Sequence, residues 1–466
     1  MKKNLKFISA LLLLVIVVCG CGDEHIQDST ATIKIKSEKY KNHIFQFYLP
    51  FSRIIKFNLN SNGEGMVSIP LKKLLFVNFS VNDSILSTLL LEPGYNLFLN
   101  LEKGIASFSG KGDNPNNYLL KSKLLLNYFV NSSKKKANDL ESFIALCDSF
   151  ELQYAAFHKK YSDSIAFTKE IDYLLKNQAY ASVLFEKQMY LSSFDQHEID
   201  SLNLEEKLWL LNNNIYKDTL LIKTHCTDFL LFLIYNCERD MAKFSLANQQ
   251  EKELYPVMLL EKIKESTKYS REIKEFLIFN NLFGLLDLYG LTSNIDSISK
   301  MVKETYPHSE YLITLSDKYQ KLNNLTTGNP APHFQGTTLE GEIYSLSDLK
   351  GKVVFIDVWA TWCGPCIAAL PLTHNLQESF KNNKNVVFLF ISIDQKENDW
   401  RKYVTQHQEL KGIQIRVVDQ SFKELYKITG IPRYIIIDKH GNIADAFAAT
   451  PSDQKVRGLI EKMLLK

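Results

Sequence analysis

Three textures of apolar and polar patterning run along the 466 residues of the chain. From about Thr30 to Ser109 the pattern alternates, as in Thr32-Ile33-Lys34-Ile35-Lys36 and His43-Ile44-Phe45-Gln46-Phe47-Tyr48, which predicts short strands buried on one face. Asn60-Ser61-Asn62-Gly63 separates the runs containing Ile55-Lys56-Phe57 and Met66-Val67-Ser68-Ile69 and reads as a hairpin loop. Glu92-Pro93-Gly94 reads the same way between Leu89-Leu90-Leu91 and Leu97-Phe98-Leu99. Short strands punctuated by turns predict a small β-sandwich-like domain. From about Asn114 to Asn324 apolar residues recur every three or four positions, for example over Leu140 to Phe157 and Glu272 to Leu288. This predicts a central all-α region with no solenoid-like repeat.

Helical patterning stops at Leu325-Thr326-Thr327-Gly328-Asn329-Pro330-Ala331-Pro332, which reads as a linker. Beyond it, strands are expected over Lys352 to Trp359, Asn385 to Ile393, Arg433 to Asp438 and Ile443 to Phe447, the last two paired across His440-Gly441. Helices are expected over Pro365 to Phe380, Lys396 to His407 and Ser452 to Leu465. Such alternation predicts an α/β module able to fold by itself. The chain is therefore read as multidomain: β-rich over 24–112, helical over 113–325 and α/β over 327–466.

The first 20 residues follow a different rule. Lys2, Lys3 and Lys6 precede an apolar run of 13 residues, Phe7 to Cys19, which is shorter than the ~20 residues of a membrane-spanning helix. A basic start and a short apolar middle describe a secretory signal over 1–20. Its end, Val18-Cys19-Gly20-Cys21, resembles a bacterial lipobox. That resemblance implies cleavage after Gly20 and a lipid anchor on Cys21, with more than one acyl chain for stable attachment. The mature chain would then work outside the cytoplasm, where disulfide chemistry is permitted.

Composition narrows the classes. Gly (19) and Pro (12) are scarce, so collagen-like and linker-dominated architectures are excluded. A formal charge of +3 makes no global electrostatic case for nucleic acid. Seven cysteines are too few for a disulfide-built scaffold.

Two of them form a C-x-x-C, Cys363 and Cys366. The bare spacing arises by chance in roughly one chain of this composition in ten, so its setting matters more. The local string is Phe355-Ile356-Asp357-Val358-Trp359-Ala360-Thr361-Trp362-Cys363-Gly364-Pro365-Cys366. The pair lies where a strand feeds a helix, and the positive end of that helix stabilises a thiolate at Cys363. Pro365 is tolerated because first-turn amides have no partner within the helix. Asp357, six residues upstream, is placed to exchange a proton with Cys366, and Gly430-Ile431-Pro432 precedes a later strand.

W-C-G-P-C with Asp357, and Ile431-Pro432 before a strand, resemble thioredoxin. Gly328 to Phe334, Gly351-Lys352-Val353-Val354 and Val358-Trp359-Ala360-Thr361-Trp362 are similar to its extracytoplasmic branch, the membrane-tethered TlpA- and ResA-like thiol-disulfide oxidoreductases. Leu91 to Tyr95 with Phe108 to Gly112 also resemble the β-domain that precedes thioredoxin modules in Gram-negative lipoproteins. The resemblance implies a thioredoxin fold over 327–466 and a redox-active Cys363–Cys366 disulfide. In it Cys363 attacks, Cys366 resolves, Asp357 is a buried proton acceptor and Pro432 is a cis-proline facing the pair. Trp362, Gly364, Pro365 and Ile431 would touch the client, with Ile431 offering backbone to an extended peptide. No metal or other cofactor is implied. The implied setting is the periplasm-facing membrane of a Gram-negative bacterium, with disulfide-containing client proteins and a DsbD- or CcdA-like membrane electron donor. One departure is Ala369, where the branch usually carries a Glu.

A zinc site lacks a second C-x-x-C or H-x(3–5)-H pair, and no Thr-x-x-Cys supports a peroxiredoxin. A lipoprotein using the module as a binding or scaffold platform is the rival class. Within the enzyme class, a Gly-Pro centre resembles reducing thioredoxins near about −270 mV more than oxidants near about −120 mV. A disulfide isomerase is the alternative, since it too needs a reduced Cys363.

Overall fold

The computed structural model describes residues 30–465 other than 51–52, 83, 103–104, 136–138, 209, 211–213, 248–254 and 408–410. The signal read over 1–20 and the lipidation site Cys21 lie outside the described residues.

The N-terminal region is β-rich: β1 (Thr30–Lys36), β2 (Ile44–Leu49), β3 (Arg53–Asn58), β4 (Glu64–Pro70), β5 (Leu75–Val81), β6 (Ser84–Leu91), β7 (Asn96–Glu102) and β8 (Ile105–Lys111). Two four-stranded sheets, ordered β4-β1-β7-β8 and β3-β2-β5-β6, share one core that includes Ile33, Phe45, Phe47, Val67, Phe79, Leu89 and Leu97. The two hairpins expected from turn sequences are not hairpins. Asn60 does organise a reversal, its Oδ1 accepting from the amides of Asn62 (3.0 Å) and Glu64 (2.9 Å), with Gly63 at φ +72°. Yet β3 and β4 lie in different sheets, as do β6 and β7 across Gly94. β4 pairs instead with β1, which on its other side runs parallel to β7. A turn signal fixes a change of direction; which sheet receives the next strand is decided by pairing remote in sequence.

The middle of the chain is helical: α1 (Asp113–Lys135), α2 (Leu140–Ser162), α3 (Lys169–Leu191), α4 (Gln196–Ser201), α5 (Leu204–Lys207), α6 (Thr219–Lys223), α7 (Thr227–Ala247), α8 (Tyr255–Glu265), α9 (Arg271–Tyr289), α10 (Ser293–Thr305) and α11 (Tyr311–Asn323). At the start of α1, the Asn116 side chain bonds the backbone N–H and C=O of Leu90 on β6 (3.0 and 2.9 Å). The Asn117 side chain does the same to Phe108 on β8 (both 2.8 Å). Aromatic pairs such as Phe143–Tyr190, stacked at 4.2 Å between centroids, fill the helical core. Cys147, Cys226 and Cys237 are free and buried there. No helix among the described residues is long and apolar enough to cross a membrane.

The chain forms two compact units, and the division falls inside α9, between Phe279 and Asn280. The sequence pattern alone had suggested boundaries at 113, 325 and 327. In the C-terminal unit, β9 (Gln335–Thr338), β10 (Ile343–Ser345), β11 (Val353–Trp359), β12 (Val386–Ser392), β13 (Ile413–Arg416), β14 (Arg433–Ile437) and β15 (Ile443–Ala448) build one sheet, ordered β10-β9-β13-β12-β11-β14-β15. Helices α12 (Gly364–Ser379), α13 (Glu397–Gln406), α14 (Gln420–Leu425) and α15 (Gln454–Leu465) complete a thioredoxin-like fold. β11 is buried along its whole length, parallel to β12 and antiparallel to β14. The segment read as a linker is pinned to β15: Gly328 N–H donates to Ile443 O, and Ile443 N–H to Asn329 O, both at 2.8 Å.

Candidate active site

β11 ends at Trp359 and α12 begins at Gly364, so four residues carry the chain from sheet to helix. Asp394, buried just after β12, fixes that turn. Its carboxylate accepts from Thr361 N–H (3.0 Å), Thr361 Oγ1 (2.7 Å) and Ser392 Oγ (2.7 Å). Trp362 follows and is 67% exposed, whereas Cys363 and Cys366 are 5% and 2% exposed.

Cys363 is the N-cap residue of α12, and its Sγ accepts from the Cys366 amide at 3.2 Å. A disulfide joins the two cysteines. Pro365 sits in the first turn, and Gly364 has open space where a side chain would be. When the bond is reduced, the unpaired first-turn amides and the positive helix end favour negative charge on the outer sulfur. Both cysteines are nearly buried, and Cys363 is the slightly more exposed of the two. The Ile431–Pro432 peptide is cis, and Cys363 Sγ lies 3.7 Å from Ile431 O.

Asp357 is 2% exposed in the middle of β11. Burial pushes its carboxyl up to about 7, opposed by a hydrogen bond from Thr373 Oγ1 at 2.7 Å. Thr373 lies seven residues after Cys366, on the helix face shared by Cys366, Leu370 and Leu376. Across the sheet Asp357 faces Tyr434, whose hydroxyl is buried without a partner among the described residues and is raised by burial first and by Asp357 second. A carboxyl that titrates near neutrality can both take up and release a proton at working pH.

Cys363, Cys366, Trp362, Gly364 and Pro365 thus share one loop and helix start, with Ile431 beside the outer sulfur and Asp357 in the strand leading to them. Sequence reasoning passed over Thr373 and Asp394. A hydroxyl on the apolar stripe of α12 was a legible signal for the first. Ser392-Ile393-Asp394 closing a strand offered a weaker one for the second.

The redoxin family signature matches residues 326–460. The thiol-disulfide oxidoreductase ResA of Bacillus cereus is 30% identical over 138 residues, covering 29% of this chain and 78% of that protein. The thioredoxin-like protein YneN of Bacillus subtilis is 31% identical over 130 residues, covering 28% and 75%. Among solved structures, the thioredoxin domain of a thiol-disulfide oxidoreductase from Bacteroides vulgatus is 28% identical, covering 29% of this chain and 99% of that one with a TM-score of 0.27. With an N-capping cysteine disulfide in a thioredoxin-like module, and relatives of this kind over the same residues, the chain belongs to the redoxin-type, ResA-like thiol-disulfide oxidoreductases.

Proposed function

We propose that the protein is a lipid-anchored, extracytoplasmic disulfide reductase. Cys363 is its attacking thiol, Cys366 its resolving thiol and Asp357 its proton acceptor. The observation that carries this reading is Cys363 as the N-cap of α12, its sulfur taking the Cys366 amide and lying beside Ile431 O. In the forward reaction the Cys363 thiolate attacks a client disulfide. The client S–S bond breaks, a Cys363–client disulfide forms and one client thiolate leaves. Cys366 then passes its proton to ionised Asp357 and attacks Cys363 Sγ. The internal disulfide forms, the second client thiolate leaves, and two electrons have moved to the client. Extended client backbone lies along Ile431 and Pro432, with Trp362, Gly364 and Pro365 around the outer sulfur.

The resulting disulfide needs a dithiol donor reaching across the membrane, of the DsbD or CcdA kind. Cys21 supplies the anchor, and the setting is a Gram-negative periplasm-facing membrane. Trapping tests the assignment: Cys366→Ala should accumulate mixed disulfides on Cys363 in cells and abolish insulin turnover with dithiothreitol. Adducts on another cysteine, or turnover that survives Cys363→Ser, would sink it. Scrambled-ribonuclease refolding without net reduction would favour the isomerase alternative.

A further inference from the structure

β14 opens with a charged residue although the rest of the strand is Tyr434-Ile435-Ile436-Ile437 and fully buried. Arg433 is itself 7% exposed. Taking a guanidinium out of water is unfavourable unless its donors are met, and a hydrophobic side chain would serve the sheet as well. Its donors are met. Nη2 donates to Asp287 O near the end of α9 at 2.6 Å, and Nη1 to Ala446 O on β15 at 3.4 Å. The guanidinium carbon sits 4.1 Å from the centroid of the Phe447 ring. Asp287 is held from its other side by Lys318 of α11, Nζ to Oδ1 at 2.6 Å.

The end of α9 is shaped to admit this arrangement. Gly290 adopts φ +65°, and a Cβ there would lie 2.5 Å from Phe447 Cδ2. The ring that carries the guanidinium thus occupies the room that a side chain at 290 would take. Asp445 completes the charge balance near Arg433, held by the Phe447 amide at 2.8 Å.

Arg433 is the residue immediately after the Ile431–Pro432 peptide whose carbonyl faces Cys363. We propose that Arg433 is a positioning residue: it ties the start of β14 to α9 and β15 and so holds the Ile431–Pro432 backbone where a client strand docks. This rests on the reading of Cys363 and Ile431 given above. It makes the last turns of α9, upstream of the redoxin match, part of the client-binding apparatus. The nucleophile is not the target, because the features that activate Cys363 belong to α12.

The test compares a protein client with a disulfide too small to use the docking backbone. Full-length Arg433→Met keeps the aliphatic stem and removes the guanidinium. Arg433→Lys keeps the charge but cannot span two carbonyls. Arg433→Met should raise KM for insulin about tenfold while kcat stays within about twofold. Its rate with 2-hydroxyethyl disulfide and its Cys363 alkylation by iodoacetamide should stay within about twofold of wild type. Arg433→Lys should fall between, and it carries the test if the Met variant does not fold. An unchanged insulin KM, or parallel loss on both substrates, would overturn the proposal. Insulin turnover surviving Cys363→Ser would instead overturn the site assignment beneath it.

Discussion

Replacing Asp357 with asparagine probes the energetics of the buried carboxyl directly. Burial is the larger influence and carries the group from 3.8 to about 7, with the Thr373 hydroxyl pulling the other way. At about 1.36 kcal/mol per tenfold change in proton affinity, that displacement corresponds to ~4 kcal/mol. The folded protein holds this proton more tightly than the unfolded chain does. The stabilisation is therefore complete below pH 3.8, fades as pH rises, and is gone above about 7. Between about pH 5 and about pH 9 the wild type should lose ~3 kcal/mol that Asp357→Asn retains. Guanidinium denaturation of the oxidised protein measures this without interference from the active-site thiols, because neither Cys363 nor Cys366 titrates while they are bonded. On the proposed mechanism the variant more stable at high pH should also resolve mixed disulfides more slowly. Stability curves that run parallel across that range would refute the reasoning, since they would mean the carboxyl is hydrated or compensated.

Thr373→Val removes a hydrogen bond that favours the charged carboxylate, so the pH profile of mixed-disulfide resolution should move to higher pH; Thr373→Ser should restore it. Joint replacement of Cys147, Cys226 and Cys237 by alanine should leave insulin reduction within about twofold, because burial pushes all three thiols up and keeps them protonated. Activity lost with the fold intact, as judged by circular dichroism, would contradict that. A chain begun at Thr327 lacks the Asp287 carbonyl that Arg433 donates to. It should be ~1.5–3 kcal/mol less stable in urea than one begun at Asn280, and equal stabilities would show that the contact contributes nothing.

The Cys363–Cys366 disulfide was legible in sequence because its pattern is local: two cysteines, a glycine and a proline within four residues at a strand-to-helix junction. The long strands and helices of the C-terminal unit were legible for a similar reason, since β11 and β12 are near-continuous apolar runs. β9, β10 and β13 are only 4, 3 and 4 residues long, too short to show a period. What sequence reading missed at the site is non-local. Asp357 meets Thr373 across 16 positions, and Arg433 meets Asp287 across 146. No window of a dozen residues contains both halves of either pair. The misread turns at Asn60 and Glu92 have the same origin: the local reversal is real, and the partner strand is chosen elsewhere.

The paired asparagines at the start of α1 bear on how the protein avoids its own kind. A side-chain amide presents N–H donors and a carbonyl acceptor side by side, so it can copy the backbone groups of a single residue of a neighbouring strand. Asn116 does so against β6 and Asn117 against β8, which are outer strands of the two different sheets. An exposed row of backbone groups invites a foreign strand to add itself and seed aggregation. Each amide occupies one residue of such a row, and α1 continues from there, so two borders are obstructed by adjacent residues of one helix. Among the described residues, β3 and β4, the opposite outer strands, show no such paired amide bonds from α1. A foreign strand adding itself at Leu90 of β6 or Phe108 of β8 would first have to displace one of these two amides.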